Sequence, residues 1–69
     1  MNLNLRQAII TNISGNNEDQ IRDTIVDAIT SGEEKMLPGL GVLFELMWQQ
    51  CSQDEQNQVV NQIKQGLQA

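Results

Sequence analysis

The chain has 69 residues, a net charge of −5, one cysteine and no histidine. A chain this short buries only about 60% of the surface that its unfolded form exposes, so we expect one small domain, residues 1–69, of modest stability. The single cysteine excludes an internal disulfide and fits a reducing compartment, no histidine is present to complete a zinc site, and the negative charge opposes binding to nucleic acid or to an anionic membrane.

Apolar residues at helical spacing predict a first helix over residues 4–13. Its apolar residues fall on one side when they are placed on a helix with 3.6 residues per turn: Leu5, Ala8, Ile9 and Ile13. The segment Ser14-Gly15-Asn16 follows, and its polar residues and glycine are typical of a helix end. Leu3 and Ile10 fall outside that side, so this helix could contact two neighbours.

A second helix is predicted over residues 18–31. Asn17 precedes it as N-cap, and Gln20 occupies the position that completes a capping box. Gly32 ends it. The spacing of four apolar residues predicts a buried stripe along this helix: Ile21, Ile25, Ala28 and Ile29.

A third helix is predicted over residues 38–50, with Pro38 in the first turn, where a missing N–H is tolerated. Its apolar residues cover more than half of the helix circumference and leave Glu45 and Gln49 as the polar edge. That arc is too wide for one partner helix. Either several helices surround it, or part of it docks onto another molecule, in which case five residues form the candidate protein-interaction surface: Leu43, Phe44, Leu46, Met47 and Trp48. For Trp48 itself, core and interface remain equally good interpretations.

A fourth helix is predicted over residues 53–67. Ser52 and Glu55 have the spacing of a capping box at its start. Its apolar stripe is narrow, so this helix should be peripheral: Val59, Val60, Ile63 and Leu67. Together the four segments predict an all-α fold, a compact bundle of about four short helices in a single helical domain.

Gly39 and Gly41 could in principle let backbone N–H groups approach a phosphate at the start of the third helix. A GxG pair without a P-loop lysine is weak support for such a site. We favour a structural role, in which the glycines let another helix pack closely or Pro38-Gly39 forms a turn.

Asp19, Asp23 and Asp27 recur every four residues and share one edge of the second helix. Like charges at this spacing repel one another, and carboxylates on a helix do not resemble the loop ligands of a calcium site. We interpret this edge as a solvated face rather than as a metal site.

Catalysis lacks the residues that it needs. Glu45 on the edge of an apolar helix could have a raised pKa, and Cys51 near a helix start could be reactive, but no histidine, tyrosine or second suitable carboxylate accompanies either residue. Exposure of Glu45 and burial of Cys51 as a small apolar group are the simpler interpretations. We therefore predict no enzymatic activity, no metal, no cofactor and no small-molecule substrate.

The segment Glu34-Lys35-Met36-Leu37-Pro38-Gly39-Leu40-Gly41-Val42-Leu43-Phe44-Glu45, together with Asn2-Leu3-Asn4-Leu5-Arg6-Gln7-Ala8, resembles the small acid-soluble spore protein I family of Bacillus-type endospore formers. The resemblance covers about the first two-thirds of the chain. It is strongest over Ser31–Glu45 and weakens into the glutamine-rich tail from Gln49 onward.

The resemblance implies a minor small acid-soluble spore protein, made in the forespore and carried in the spore core. It implies a time and a place rather than a reaction, because the family has no catalytic residues to transfer to this chain. A non-enzymatic structural or protein-interaction role follows. The glycine-rich DNA-contacting motif and the protease-cleavage motif of the major spore proteins are not found here, so the shared class name does not imply DNA coating.

Two other functions remain to be weighed. The first is a helical protein-interaction module outside sporulation, with a homodimer as its simplest form and an unknown protein as the other partner. The second is weak DNA binding by a helix-turn-helix, but residues 30–38 are long for that turn and the third helix is too apolar to read a groove. The start of the sequence lacks the pattern of a secretory signal and no apolar run is long enough to span a membrane, so we expect a cytoplasmic protein without membrane contact.

Overall fold

The computed structural model describes residues 3–68 and the side chains from Asn4 to Gln68. The described chain is helical almost throughout, in this order: α1 (Leu3–Ile13), α2 (Glu18–Ser31), a 3₁₀ turn (Glu34–Met36), α3 (Leu37–Gln50) and α4 (Gln53–Gln68). No strand occurs between residues 3 and 68. The all-α prediction is confirmed, and each helix begins and ends within one residue of the predicted position. Residues 1, 2 and 69 of the predicted domain lie outside the described part.

Side chains cap α2 and α4 in the way that the sequence predicts. The Gln20 backbone N–H donates to Asn17 Oδ1 at 2.9 Å, and the Asn17 N–H donates to Gln20 Oε1 at 3.0 Å. At α4, the Ser52 N–H donates to Glu55 Oε1 at 2.8 Å and the Glu55 N–H donates to Ser52 Oγ at 3.2 Å. Both capping boxes satisfy N–H groups that a helix start leaves without an internal acceptor.

The connection from α2 to α3 depends on one glycine. Gly32 ends α2 in the left-handed region, with φ of 65°. A side chain with a Cβ is strained there, and glycine is not. The chain then forms the 3₁₀ turn and enters α3, whose first turn contains Pro38, the position where a missing backbone N–H is tolerated.

Helix α3 is the central element. It packs against α1, against the 3₁₀ turn and against α2, whereas contacts of α4 with the other helices are sparse. One hydrogen bond joins α4 to α3, from Gln56 Nε2 to the Trp48 carbonyl oxygen at 3.2 Å. The predicted peripheral position of the fourth helix is confirmed.

The interior is small. Ala28 and Val42 are the residues that the structure buries between positions 4 and 68. The predicted buried stripe of α2 is therefore only partly correct, because Ile21 and Ile25 are half-buried and Ile29 is 64% exposed. The helical spacing of Ile29 is right, but no other helix covers that end of the stripe.

The molecule exposes more surface than its mass requires. Its accessible surface is 5749 Å², whereas a compact monomer of the same mass is expected to expose about 4,300 Å². Its radius of gyration is 13.2 Å, against about 11 Å for a close-packed domain of this length. The excess of accessible surface is about 1,400 Å² on the same scaling. It arises because the helices cover one another incompletely.

The two glycines of α3 do not have the structural role that the sequence indicated. Gly39 and Gly41 lie inside α3, and a Cβ at either position would meet no described atom within 4 Å apart from its chain neighbours and the backbone of α3 itself. The predictions that another helix of the same chain packs closely against these glycines, and that Pro38-Gly39 forms a turn, are thus both wrong. The sequence pattern could not show this, because it identifies a glycine but not the space around it.

Replacing glycine by alanine should have opposite effects at two positions. Gly32→Ala should lower the free energy of unfolding by about 1–2 kcal/mol, because alanine is strained in the left-handed region. Gly41→Ala should raise it by about 1 kcal/mol, since alanine favours a helix interior and the space is open. Thermal unfolding followed by circular dichroism measures both, with about 4–8 °C per kcal/mol for a chain of this size. Two shifts of the same sign would contradict this assignment.

Candidate functional site

The five residues of the predicted interaction surface spread over about 200° of the circumference of α3. Successive residues of a helix are separated by about 100°, so Leu43 and Phe44 point in clearly different directions. Leu43 is half-buried and lines a groove beside α1 and α2. Leu46 lies within about 40° of the buried Val42 yet is 37% exposed, whereas Phe44 and Trp48 lie about 160° and 120° from Val42. Binding through these five residues stays a prediction.

The aromatic rings of α3 pack against each other. The ring centroids of Phe44 and Trp48 are 5.6 Å apart, with an angle of 23° between the planes. Phe44 is 40% exposed and Trp48 is half-buried, so this stack belongs to the surface rather than to an enclosed core. One turn further along, Cys51 Sγ lies 3.4 Å from Met47 Sδ. Cys51 is half-buried, in partial agreement with the interpretation of its thiol as a small apolar group.

Leu37 extends this surface and was missed from the sequence. It is 60% exposed and precedes Phe44 by seven residues, which is close to two full helical turns. A third helix that begins at Pro38, as predicted, does not include Leu37. We call Leu37, Phe44, Met47 and Trp48 the aromatic patch.

A second apolar feature, the three-helix groove, opens between α1, α2 and the start of α3. It encloses about 500 Å³. Its walls are mostly aliphatic: Leu5, Ile9, Ile13, Thr24, Ala28, Lys35, Met36, Pro38, Gly39, Leu40 and Leu43. Each of these helices supplies part of a predicted apolar stripe, but the three do not close over it. The sequence predicted the stripes and could not show that a groove remains between them.

The third apolar feature is the α4 stripe: Val59, Val60, Ile63 and Leu67. Val59 is half-buried, Val60 and Ile63 are about half exposed, and Leu67 is 82% exposed. Helix α4 has acidic residues in its first turn, a glutamine-rich polar face and this one apolar side. An amphipathic helix of this kind is stabilised when its apolar side packs against another surface.

Glu45 has an electrostatic partner that the sequence did not reveal. The Arg6 guanidinium donates through both Nε and Nη2 to the two carboxylate oxygens of Glu45, each at 3.0 Å. These hydrogen bonds and the positive charge lower the pKa of Glu45 and raise that of Arg6. The possibility that Glu45 has a raised pKa is therefore wrong, because α1 brings a cation 39 positions away in sequence against it.

Two further ion pairs lie on the surface. Arg22 Nη1 is 3.7 Å from Asp19 Oδ1, and Lys35 Nζ is 3.7 Å from Glu33 Oε2. Within residues 3–68, no three acidic, cysteine or histidine side chains gather as a group that could hold a metal ion. The edge formed by Asp19, Asp23 and Asp27 is exposed, as a solvated face should be.

Comparison with known proteins decides the family. The sequence matches the family described as "Small, acid-soluble spore protein I" over residues 3–67. The chain belongs to the small acid-soluble spore protein I family. The match includes the glutamine-rich tail, so the family likeness extends further than the first two-thirds of the chain that the sequence motifs indicated.

Individual members of the spore protein I family are similar over nearly their whole length. A small acid-soluble spore protein I of Halalkalibacterium halodurans is 63% identical over 68 residues, which are 99% of this chain and 100% of the relative. The protein of the same name from Bacillus subtilis is 60% identical over 67 residues, 97% of this chain and 94% of the relative. No solved structure matches this chain. The chain is thus a minor small acid-soluble spore protein, and its association with spores follows from its family.

None of the described helices is long and apolar enough to cross a lipid bilayer. This member of the spore protein I family exposes apolar area in three places: the aromatic patch, the three-helix groove and the α4 stripe. Each of these features is exposed at the surface of an acidic molecule. Such areas are typical of protein-binding surfaces when they are contiguous and large.

The Arg6–Glu45 pair should make stability depend on pH in the acidic range. The pKa of Glu45 in the folded state is lower than its usual value of 4.5. Glu45 therefore contributes stability at pH values above its usual pKa, and this contribution is lost as pH falls through the lower folded-state pKa. Glu45→Gln should therefore lower the unfolding temperature at pH 7 and have little effect at pH 3. Thermal unfolding across this range measures the difference.

Glu34→Gln is the control for that experiment, since Glu34 is an exposed acid on the 3₁₀ turn and forms none of the ion pairs found in the structure. Because the pair is exposed, 1 M salt should reduce the effect of Glu45→Gln at pH 7. An effect of Glu45→Gln that is the same at pH 7 and pH 3 would contradict the role of the charge.

Proposed function

We propose that this protein is a non-catalytic component of the spore core, placed there from the forespore compartment, and that it acts by binding protein. The observation that carries the proposal is the apolar area that the fold leaves exposed on a small acidic chain. Phe44, Met47 and Trp48 are the residues that we assign to contact with a partner. That partner is either a second copy of the chain or another spore protein.

A binding role fits the composition of the aromatic patch. Aromatic residues and methionine are enriched at the centre of protein interfaces, whereas lysine and glutamate are depleted there. Tryptophan in particular is frequent among the residues whose truncation costs an interface most of its affinity. The stacked Phe44 and Trp48 rings hold each other in place, which reduces the conformational entropy that binding would otherwise remove.

A non-catalytic role is supported by how the reactive groups are placed. The Glu45 carboxylate is fixed by Arg6 and has a lowered pKa, which opposes general acid catalysis near neutral pH. The Cys51 thiol is directed at the Met47 thioether, not at a base. Neither arrangement provides a nucleophile with a partner that activates it.

The charge distribution favours a protein partner over nucleic acid. The net charge is −5. Of the four basic residues, Arg6, Arg22 and Lys35 each lie within 4 Å of an acidic side chain. Little uncompensated positive charge is left to attract phosphate groups, which supply most non-specific binding to DNA.

Binding through the aromatic patch can be tested with one substitution. The purified chain, with an affinity tag, is used to capture proteins from sporulating cells, in parallel with Phe44→Ser. We expect the wild type to retain a partner at constant stoichiometry and Phe44→Ser to lose most of it, because the stack and its exposed apolar area are removed. Gln49→Ser, on the polar edge of α3, is the matched control and should retain the partner.

Location is tested in the same cells with a fluorescent fusion expressed from its own promoter. Signal confined to the forespore, and then to the mature spore core, is the expected result. Signal in the mother cell would contradict the location.

Equal capture by the wild type and Phe44→Ser would contradict the assignment of the binding surface.

DNA binding is tested directly with a gel-shift titration at low salt, the condition that strengthens contacts with phosphate most. We expect no shift of double-stranded DNA at protein concentrations up to about 10 μM, which lies inside the usual range of non-specific dissociation constants. Tight binding at low salt would show that the acidic surface does not exclude the DNA backbone.

A further inference from the structure

We infer that two copies of this chain form a symmetric dimer in which the α4 stripe of each copy lies in the three-helix groove of the other. The inference deepens the proposed protein-binding role, on which it rests, by naming the partner of these two surfaces as a second copy. It concerns the groove and α4, not the aromatic patch on the far side of α3.

Among the described residues 3–68, the groove stays open and most of the α4 stripe stays exposed. The groove is an opening of about 500 Å³ with mainly aliphatic walls, and Leu5 at its edge is 45% exposed. Helix α4 keeps Val60 and Ile63 about half exposed and makes sparse contacts with the other helices. An amphipathic helix lying in an apolar groove is a common form of protein recognition.

The area involved is suitable for a stable dimer. The chain exposes 5749 Å², which is about 1,400 Å² more than a compact monomer of its mass. A standard protein interface removes about 800 Å² from each partner. One interface of that size would therefore remove a little more than half of the excess, and the aromatic patch would remain available to another protein.

Symmetry explains why the assembly closes. If only one α4 entered one groove, the free helix and the free groove at either end would recruit further copies and form an open chain. Reciprocal exchange uses both features of both copies and ends at two. The two-residue segment Cys51–Ser52 that joins α3 to α4 provides no long linker, so α4 leaves the other three helices as a well-defined arm.

Gly39 supports close approach by a second copy. It lies in the groove wall and inside a helix, where glycine is less favourable than alanine. Apart from its chain neighbours and the backbone of its own helix, no described atom comes within 4 Å of the position that a Cβ would occupy. Without a side chain at this point, the backbone of an incoming helix can approach the wall more closely than at any leucine beside it.

Sedimentation equilibrium of the full chain tests the oligomeric state. We expect a reversible monomer–dimer equilibrium in the wild type. Ile63→Lys should raise the dimer dissociation constant about tenfold or more, because an apolar side chain that becomes buried on association is replaced by a charge. Asn61→Lys adds the same charge on the opposite, polar side of α4, and should change the dissociation constant by no more than about twofold.

A cross-linking experiment shows which surfaces meet, and it does not depend on the lysine variant being folded. Two variants, both carrying Cys51→Ser, are mixed: one with Leu5→Cys at the groove and a larger tag, the other with Ile63→Cys on the α4 stripe. A short bis-maleimide should join one chain to the other. Replacing Ile63→Cys by Asn61→Cys should reduce the yield of the joined pair several-fold.

Three results would overturn the dimer. A wild type that stays monomeric at all concentrations would mean that the groove is filled by its own α4 or by a small apolar molecule. A dimer that Ile63→Lys leaves unchanged would mean that α4 is not at the interface, and equal cross-linking from positions 61 and 63 would mean the same. None of these results affects capture of a spore protein through Phe44, so the two proposals can fail separately.

Discussion

The packing of α1 and α2 against the first turns of α3 is the interaction on which this structure depends. It buries Ala28 and Val42 and half-buries Ile9, Leu40 and Leu43 around them. A chain of 69 residues without a disulfide can build only a small interior, and the described side chains show how small it is here. Local hydrogen bonds compensate in part: two capping boxes and a glycine at the end of α2 help to fix where the helices begin and end.

The limited interior and the exposed apolar area have the same cause. Four short helices carry more apolar residues than three of them can cover, because α4 remains at the periphery and the groove between α1, α2 and α3 stays open. Apolar area that would be core in a larger domain stays exposed in this one. The proposed binding of another protein rests on that exposed area.

The electrostatics point to the same kind of role. The basic side chains Arg6, Arg22 and Lys35 are paired with nearby acids, and the chain carries a net charge of −5. A surface of this sign is repelled by DNA and by anionic membranes, whereas it does not oppose contact between apolar patches at moderate salt. The Arg6–Glu45 pair also ties α1 to α3 from outside the groove, adding a polar contact to the packing of these two helices.

The sequence by itself determined the helices, their ends and the family, because each of these is set by local patterns: apolar spacing, capping residues, and the motif around Pro38. It also predicted correctly that α3 carries more apolar residues than one neighbour can cover. Only the tertiary structure decided which of them stay exposed, that Glu45 meets Arg6, and that a groove stays open beside Gly39. These properties depend on the angles and distances between helices, which the periodicity of a single helix does not contain.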